Sequence, residues 1–322
     1  MPFPYLEILK KAFELAKANL WLWVFGFFIG GTTGLNLGGF NYVATPHKIE
    51  EFSAFWAKVQ NSTIFFVSHS GIFYSLLILV SASAFLALVL SGISRGAVIW
   101  TTAKSAEHEN SRKAEISFAK ALSASKKYLW QIIGLQILIS AGYGVLLLLL
   151  AAPVGYFFSI AAIGRAVASL LLALLIFIPA TFVFGFLHIY GPIFLVLYPV
   201  KISTALQLSF NLLRQKIKES LILAAFLVGI SLLFVLAVIF SIIVVSVPVA
   251  LLALFLLKLN FWVAFYTLIF GAAIFELVFT LVVSAGFAVF QNAAWVLAVQ
   301  AMVKAKKIEE RAEKVLAAEP VA

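Results

Sequence analysis

One acidic residue, Glu276, lies well inside the last apolar run of the chain, in the stretch IFELVF. A charged side chain at the centre of a membrane helix costs about 2.5–3.5 kcal/mol on insertion scales. The carboxyl group is therefore expected to be protonated or to have a partner inside the membrane, for which the candidates are Arg95, Arg165 and His188. It either forms a proton- or cation-coupled site or, as we favour, a single buried pair that fixes helix register.

Other polar residues recur at similar depths in the apolar runs. His188 lies in FLHIYGP, Gln291 and Asn292 lie in VFQNAAW, and Arg95 takes a similar place nearer the N-terminus. Together with Glu276 these side chains could line a central polar lumen. The alternative, which we favour, is that they snorkel towards the cytoplasmic boundary.

The stretch Gly92-Ile93-Ser94-Arg95-Gly96 matches the G-x-S-x-G pattern of serine hydrolases. That nucleophile requires a sharp turn between a strand and a helix, with an acid and a histidine downstream. Here the match lies inside an apolar run, where glycines four residues apart are typical of close helix packing. The pattern therefore predicts a helix interface rather than an active site.

Composition indicates a membrane protein with little polar chemistry. Of the 322 residues 64% are apolar and 11% are charged, against about 45–50% and 25% in soluble proteins. The chain has no cysteine and no aspartate, and its four histidines are scattered, so we expect neither a metal nor a cofactor. The net charge of +10 is explained by membrane topology, so nucleic acid is not an expected partner.

Six apolar runs reach the roughly 20 residues that a membrane helix needs. They cover residues 20–40, 72–100, 128–152, 166–200, 221–247 and 261–302. Pro248 is expected to end the fifth run, and Pro179 with the pair Gly191-Pro192 is expected to bend the fourth. Residues 1–307 would then form one membrane domain, and residues 308–322 a polar cytoplasmic tail.

Lysine and arginine concentrate on one side of this topology, which predicts cytoplasmic N- and C-termini in a multi-pass protein of the cell membrane. The only lysines in the outer loops are Lys48, Lys58 and Lys258. Nine inner basic residues are expected to contact anionic lipid headgroups: Lys10, Lys11, Lys17, Lys120, Lys126, Lys127, Arg214, Lys216 and Lys218.

A short segment is repeated before the odd-numbered runs. AFELAKANLW begins at Ala12, ALSASKKYLW at Ala121 and a weaker copy, SFNLLRQKIK, at Ser209. Each copy is basic and carries apolar residues at helical spacing, which predicts an amphipathic helix in the headgroup plane. The fold class is therefore all-α, with three parallel hairpin repeats at about residues 4–104, 105–201 and 202–307, each preceded by such a helix.

The pattern A-[LF]-x-x-[SA]-x-x-x-x-[LI] before each hairpin resembles the membrane domain of the glycerophosphoryl diester phosphodiesterase family and related bacterial six-span proteins. The resemblance extends from Leu6 to about Lys307. In the family's enzymes this domain precedes a soluble catalytic barrel, for which the residues here leave no room. The family's hydrolase chemistry is therefore not implied, and the resemblance implies a stand-alone membrane module whose relatives mostly lack an assigned activity.

These patterns favour a non-enzymatic membrane module that handles or senses lipid, or that scaffolds a protein partner or a second copy of itself. A transporter or channel for a small solute or ion, with Glu276 as its coupling site, is the alternative. A dry, glycine-packed interior would favour the first function, and a continuous polar cavity that reaches Glu276 would favour the second.

Overall fold

The computed structural model describes residues 3–29, 70–107, 116–160 and 162–304. These residues form eight helices and no strand. The helices are α1 (Tyr5–Ala18), α2 (Leu22–Ile29), α3 (Ser70–Glu107), α4 (Phe118–Ser159), α5 (Ile163–Leu197), α6 (Ile202–Gln215), α7 (Ile217–Lys258) and α8 (Trp262–Val303). The remainder of the first predicted span, residues 30–40, and the predicted tail, residues 308–322, lie outside the described residues.

Five helices, α3, α4, α5, α7 and α8, are long and apolar enough to cross a membrane. They contain 35 to 42 residues each. At 1.5 Å per residue their axes measure about 52–63 Å, whereas the hydrocarbon core of a bilayer is about 30 Å thick. The chain is therefore a helical membrane protein whose long helices must tilt or extend beyond the lipid.

The predicted end of the fifth run at Pro248 is wrong, because proline does not end the helices here. α7 continues through Pro248 to Lys258, and α4 continues through Pro153 to Ser159. A proline removes one backbone hydrogen bond, but long membrane helices tolerate this loss through neighbouring groups and small local adjustments. α5 likewise includes Pro179 and Pro192 without a break, and the predicted bend there stays a prediction.

The N-terminal segment is sharply bent between α1 and α2, whose axes differ by 113°. α1 ends at Asn19, whose side-chain amide donates to the Leu15 carbonyl at 3.1 Å and competes with continuation of the helix. Across the bend, the Trp23 indole N–H donates to the Ala16 carbonyl at 2.9 Å. The second bond gives a partner to a carbonyl in the last turn of α1, next to the break.

The second repeated segment does not form a separate helix, contrary to the prediction. Residues 118–127 are the first turns of α4, which begins after Ser117 and continues unbroken. No residue between Ser125 and Trp130 resembles the helix-ending Asn19 of the first copy. The third copy does contain a break, at Lys216, where the backbone leaves helical geometry between α6 and α7.

The core lies at one end of the helix bundle. The C-terminal parts of α3, α5 and α8 contact one another there, and α1 and α6 pack around them. We call this the packed end and define it by the buried segments 97–103, 186–196 and 288–303. At the opposite, open end the turns α4–α5 and α7–α8 expose apolar side chains, with Val263 81% and Phe158 71% exposed.

Towards the open end, α7 and α8 form a two-helix pair. Half-buried positions on α8 recur every three or four residues, at Phe265, Leu268, Ala272, Glu276 and Thr280. The rings of Phe234 and Phe287 stack with centroids 4.1 Å apart and fix the register of the pair. Since the other faces are exposed and apolar, lipid is their natural surrounding.

Candidate functional site

A buried arginine on α3 meets a histidine on α5 just inside the packed end. Arg95 is 7% exposed, and its Nη1 lies 2.8 Å from Nε2 of His188. Arginine can only donate, so His188 Nε2 must accept and the imidazole must be neutral. The Nε of Arg95 is buried and has no hydrogen-bond partner. The bundle therefore contains a guanidinium group that donates one hydrogen bond to a neutral imidazole and has a second N–H without an acceptor.

Gln136 on α4 lies at the same level as this pair. A Cβ on Gly191 would approach Leu135, and the hydroxyls of Tyr143 and Thr181 are 3.3 Å apart. If the antiparallel register set by these contacts is continued along α4 and α5, Gln136 falls at the level of His188. Its Nε2 is also buried without a partner. We call Arg95, Gln136 and His188 the Arg95 cluster.

Sequence analysis did not identify Gln136. It is one of two amides in the apolar stretch QIIGLQILIS, and this isolated polarity is the signal that could have singled it out. The meeting of Arg95 with His188 was not predicted either, because both had been considered as partners of Glu276.

The predicted residues on α8 have partners of their own. Gln291 Nε2 donates to Ser231 Oγ on α7 at 2.7 Å, and Asn292 Nδ2 donates to the Ala288 carbonyl of its own helix at 2.8 Å. These bonds join α7 to α8 and satisfy Asn292 locally. They do not connect either side chain with the Arg95 cluster.

Glu276 is separate from the other predicted site residues. It lies sixteen residues before Asn292 in α8, which corresponds to about 24 Å along the helix axis. The register set by Phe234 and Phe287 places it opposite Val245 of α7. Both carboxylate oxygens are buried without a hydrogen-bond partner. Arg165, the remaining candidate partner, is exposed in the first turn of α5.

Close helix packing surrounds the G-x-S-x-G stretch. A Cβ added to Gly92 would lie 3.0 Å from Leu129 Cδ1, and one added to Gly96 would lie 3.1 Å from Ser125 Cβ. Ser94 is 1% exposed within the continuous helix α3. The geometry is that of a helix interface and lacks the strand-to-helix turn of a hydrolase nucleophile.

A buried hydroxyl chain joins α5 to the start of α7. Tyr190 Oη donates to Ser220 Oγ at 2.8 Å, and Ser220 Oγ donates to the Lys216 carbonyl at 2.7 Å. The ring of Trp295 on α8 lies 5.9 Å from that of Tyr190. These contacts therefore hold α5, α7 and α8 together, and the hydroxyl groups of Tyr190 and Ser220 each donate a hydrogen bond.

The predicted headgroup-contacting residues lie near the packed end and are mostly exposed. Lys11 and Lys216 are half-buried and pair with Glu7 at 3.0 Å and Glu219 at 3.2 Å. The other seven side chains, Lys10, Lys17, Lys120, Lys126, Lys127, Arg214 and Lys218, are exposed.

Two cavities of the described part lie at opposite ends of the bundle. One of about 480 Å³ lies between α1 and the last turns of α3 and α8, with Glu7, Lys11 and Gln300 in its wall. The other, of about 810 Å³, lies at the α7–α8 turn beside Asn260 and Trp262. No member of the Arg95 cluster lines either of them, and neither does Glu276.

Comparison of the chain with protein-family models, with curated proteins and with solved structures finds no match. The resemblance to the phosphodiesterase membrane domain therefore stays a prediction.

Proposed function

We propose that the chain is a non-enzymatic membrane module of six spans, arranged as three like-facing hairpin units, that handles or organises lipid or scaffolds a partner. The bent pair α1–α2 begins the first unit, with α1 lying along the membrane surface and α2 entering the lipid. The packed end faces the cytoplasm because most of the basic residues are there.

Burial at equivalent positions supports the three-unit arrangement. The repeat alignment pairs Ala12 with Ala121 and Ser209, and all three residues are fully buried. Each unit's first segment rests on the last helix of the unit before it: α4 on α3, α6 on α5, and α1 on α8. These contacts form a closed ring, as expected for units related by an axis along the membrane normal.

The observation that carries the proposal is the closely packed, small-residue interior. Glycines on α2, α3, α5 and α8 lie so close to neighbouring helices that a Cβ would meet other atoms at 3.1 Å or less. Neither of the two cavities described above is lined by the Arg95 cluster or by Glu276. A solute pathway needs polar or hydrated walls, whereas close packing of this kind suits a structural or lipid-contacting protein.

Exposed basic residues at the packed end supply the lipid contact. Near an anionic leaflet each exposed lysine or arginine contributes about 1 kcal/mol of attraction at physiological salt. Lys126 and Lys127 are adjacent and exposed, close to the ring of Tyr128, where an aromatic side chain is typical of the membrane interface.

The topology can be tested directly because the chain has no cysteine. Single variants Lys10→Cys, Lys120→Cys and Lys258→Cys would be labelled in intact cells and in inverted vesicles with a membrane-impermeant maleimide. The proposal requires Lys10 and Lys120 to label from the inside and Lys258 from the outside. Labelling of Lys120 from the outside would exclude like-facing units.

The lipid contact can be tested by native mass spectrometry of the purified protein. We expect anionic lipids to be enriched over their fraction in the membrane, and the enrichment to fall in the double variant Lys126→Gln/Lys127→Gln. Lys258→Gln, at the open end, is the matched control and should retain it. Lipids in bulk proportion in the wild type would contradict a lipid-handling function.

The shielded, unpartnered carboxyl of Glu276 favours transport as a second candidate function. Proteoliposomes with an imposed membrane potential and an internal pH dye would measure proton flux. A coupling site predicts flux that is lost in Glu276→Gln and retained in Gly271→Ala, which faces open space on the same helix. Equal flux in protein-free vesicles and in wild-type vesicles would exclude proton coupling.

A further inference from the structure

The Arg95 cluster contains a positive charge without a matching negative one. The guanidinium is charged at every physiological pH. None of the described acids forms an ion pair with Arg95. Two of these acids, Glu7 and Glu219, instead pair with Lys11 and Lys216. Buried cations are normally paired or neutralised, so a buried arginine without an acid among the described residues is suited to binding an anion.

The free groups around this charge are donors. Arg95 Nε and Gln136 Nε2 are both buried without acceptors. His188 cannot compensate, because its Nε2 already accepts from Arg95 Nη1 at 2.8 Å. Two orphaned N–H donors beside a cation fit an oxygen anion such as a phosphate, which accepts several charge-assisted hydrogen bonds at once.

The cluster lies where the bundle begins to open. Within three turns of the cluster towards the open end, Leu86 on α3 is 58% exposed, Ile137 on α4 is 55% exposed and Phe182 on α5 is 56% exposed. Towards the packed end the neighbouring residues of α3 are buried. An anionic group can therefore approach from between the diverging helices, while the packed end blocks the direct route from water.

We propose that Arg95 and Gln136, with His188 orienting the guanidinium, form a binding site for a phosphate-like oxygen anion between α3, α4 and α5. The anion is either the headgroup of an acidic lipid or a free phosphate. If the anion is a lipid headgroup, the inference extends the proposed lipid-handling function and rests on it. The existence of the anion site does not depend on that function.

The site is tested by anion-dependent thermal stability of the delipidated protein in a neutral detergent, followed by its tryptophan fluorescence. The probes are a short-chain phosphatidic acid, phosphatidylcholine of the same chain length, and inorganic phosphate, with ionic strength held constant by sodium chloride. A ligand that binds only the folded protein raises its midpoint in a saturable manner. We expect phosphatidic acid to do so and phosphatidylcholine to have a weaker effect.

The variants assign the effect to the cluster. Arg95→Met should weaken the apparent affinity by about tenfold, as expected for the loss of a charge-assisted hydrogen bond. Gln136→Leu should weaken it by about threefold. Arg165→Gln is the matched control, because that arginine is exposed at the far end of α5, and it should respond as the wild type does.

Each outcome decides between the sources or overturns the site. Stabilisation by phosphate alone, lost in Arg95→Met, retains the anion site and removes its connection with lipid. The site is overturned if anions raise the midpoint of the wild type and of Arg95→Met equally, or if no anion raises it. The headgroup contacts of Lys126 and Lys127 are tested separately by native mass spectrometry, so the two failures can be told apart. If Arg95→Met has no cooperative transition, Gln136→Leu decides by the same criterion.

Discussion

The contact between α2 and α8 should tolerate no side chain at Gly26. A Cβ there would overlap the backbone carbonyl oxygen of Ala285 and lie 2.8 Å from Val289 Cγ2. On the other side of the same interface, a Cβ on Gly286 would lie 2.8 Å from the Trp23 ring. Since the obstacle at Gly26 is backbone, Gly26→Ala must move one helix away from the other.

The magnitude follows from two opposing effects. Overpacking of a tight interface costs typically about 1–3 kcal/mol, and backbone contact places this site near the upper value. Replacing a helical glycine with alanine restores up to about 1 kcal/mol through helix propensity. We therefore expect Gly26→Ala to lower the free energy of unfolding by about 2 kcal/mol.

The matched control is Gly229→Ala on α7, where nothing lies within 4 Å of the added Cβ. It should be neutral or more stable by up to about 1 kcal/mol. Unfolding of both variants by sodium dodecyl sulfate in mixed micelles, followed by tryptophan fluorescence, measures the difference. Equal stability of the two variants would refute the close approach of α2 and α8.

Three further substitutions test individual hydrogen bonds. Tyr190→Phe should cost about 1 kcal/mol in the same assay, because the buried bond to Ser220 is lost, and a neutral result would contradict that bond. A double-mutant cycle with Gln291→Leu and Ser231→Ala should give a coupling of about 0.6 kcal/mol across α7 and α8, whereas zero coupling would place the two apart. Trp23→Phe removes the bond to the Ala16 carbonyl that spans the α1–α2 bend, so amide exchange in α1 should increase by about fivefold, and unchanged exchange would show that the bend is held by other contacts.

The long helices could be predicted from the sequence because uncharged apolar runs have few alternatives in lipid. Their ends could not. Proline usually ends or kinks a helix in soluble proteins. The sequence alone does not reveal that the membrane helices of this chain continue through Pro153 and Pro248. Whether a repeated segment forms a separate helix also depends on single residues. Asn19 ends α1 through its side chain, and the second copy has no such residue.

The polar site was predictable as a set of residues but not as a set of contacts. Arg95 and His188 were identified because polar groups are costly in an apolar run. Which of them meet depends on how α3, α5 and α8 are set against one another, and this register comes from glycines and rings distributed over the whole bundle. Glu276 consequently forms no hydrogen bond with any of the cations that had been considered as its partners.

The docking of α1 on α8 has a consequence for biosynthesis. α1 leaves the ribosome well before α8, on which it rests through contacts such as that between the rings of Phe13 and Phe290, 6.4 Å apart. At typical elongation rates roughly 15–60 s separate the synthesis of the two surfaces. During that interval α8 is not there to cover the apolar face of α1, so this face must rest on the bilayer or bind an insertion factor until α8 has been synthesised.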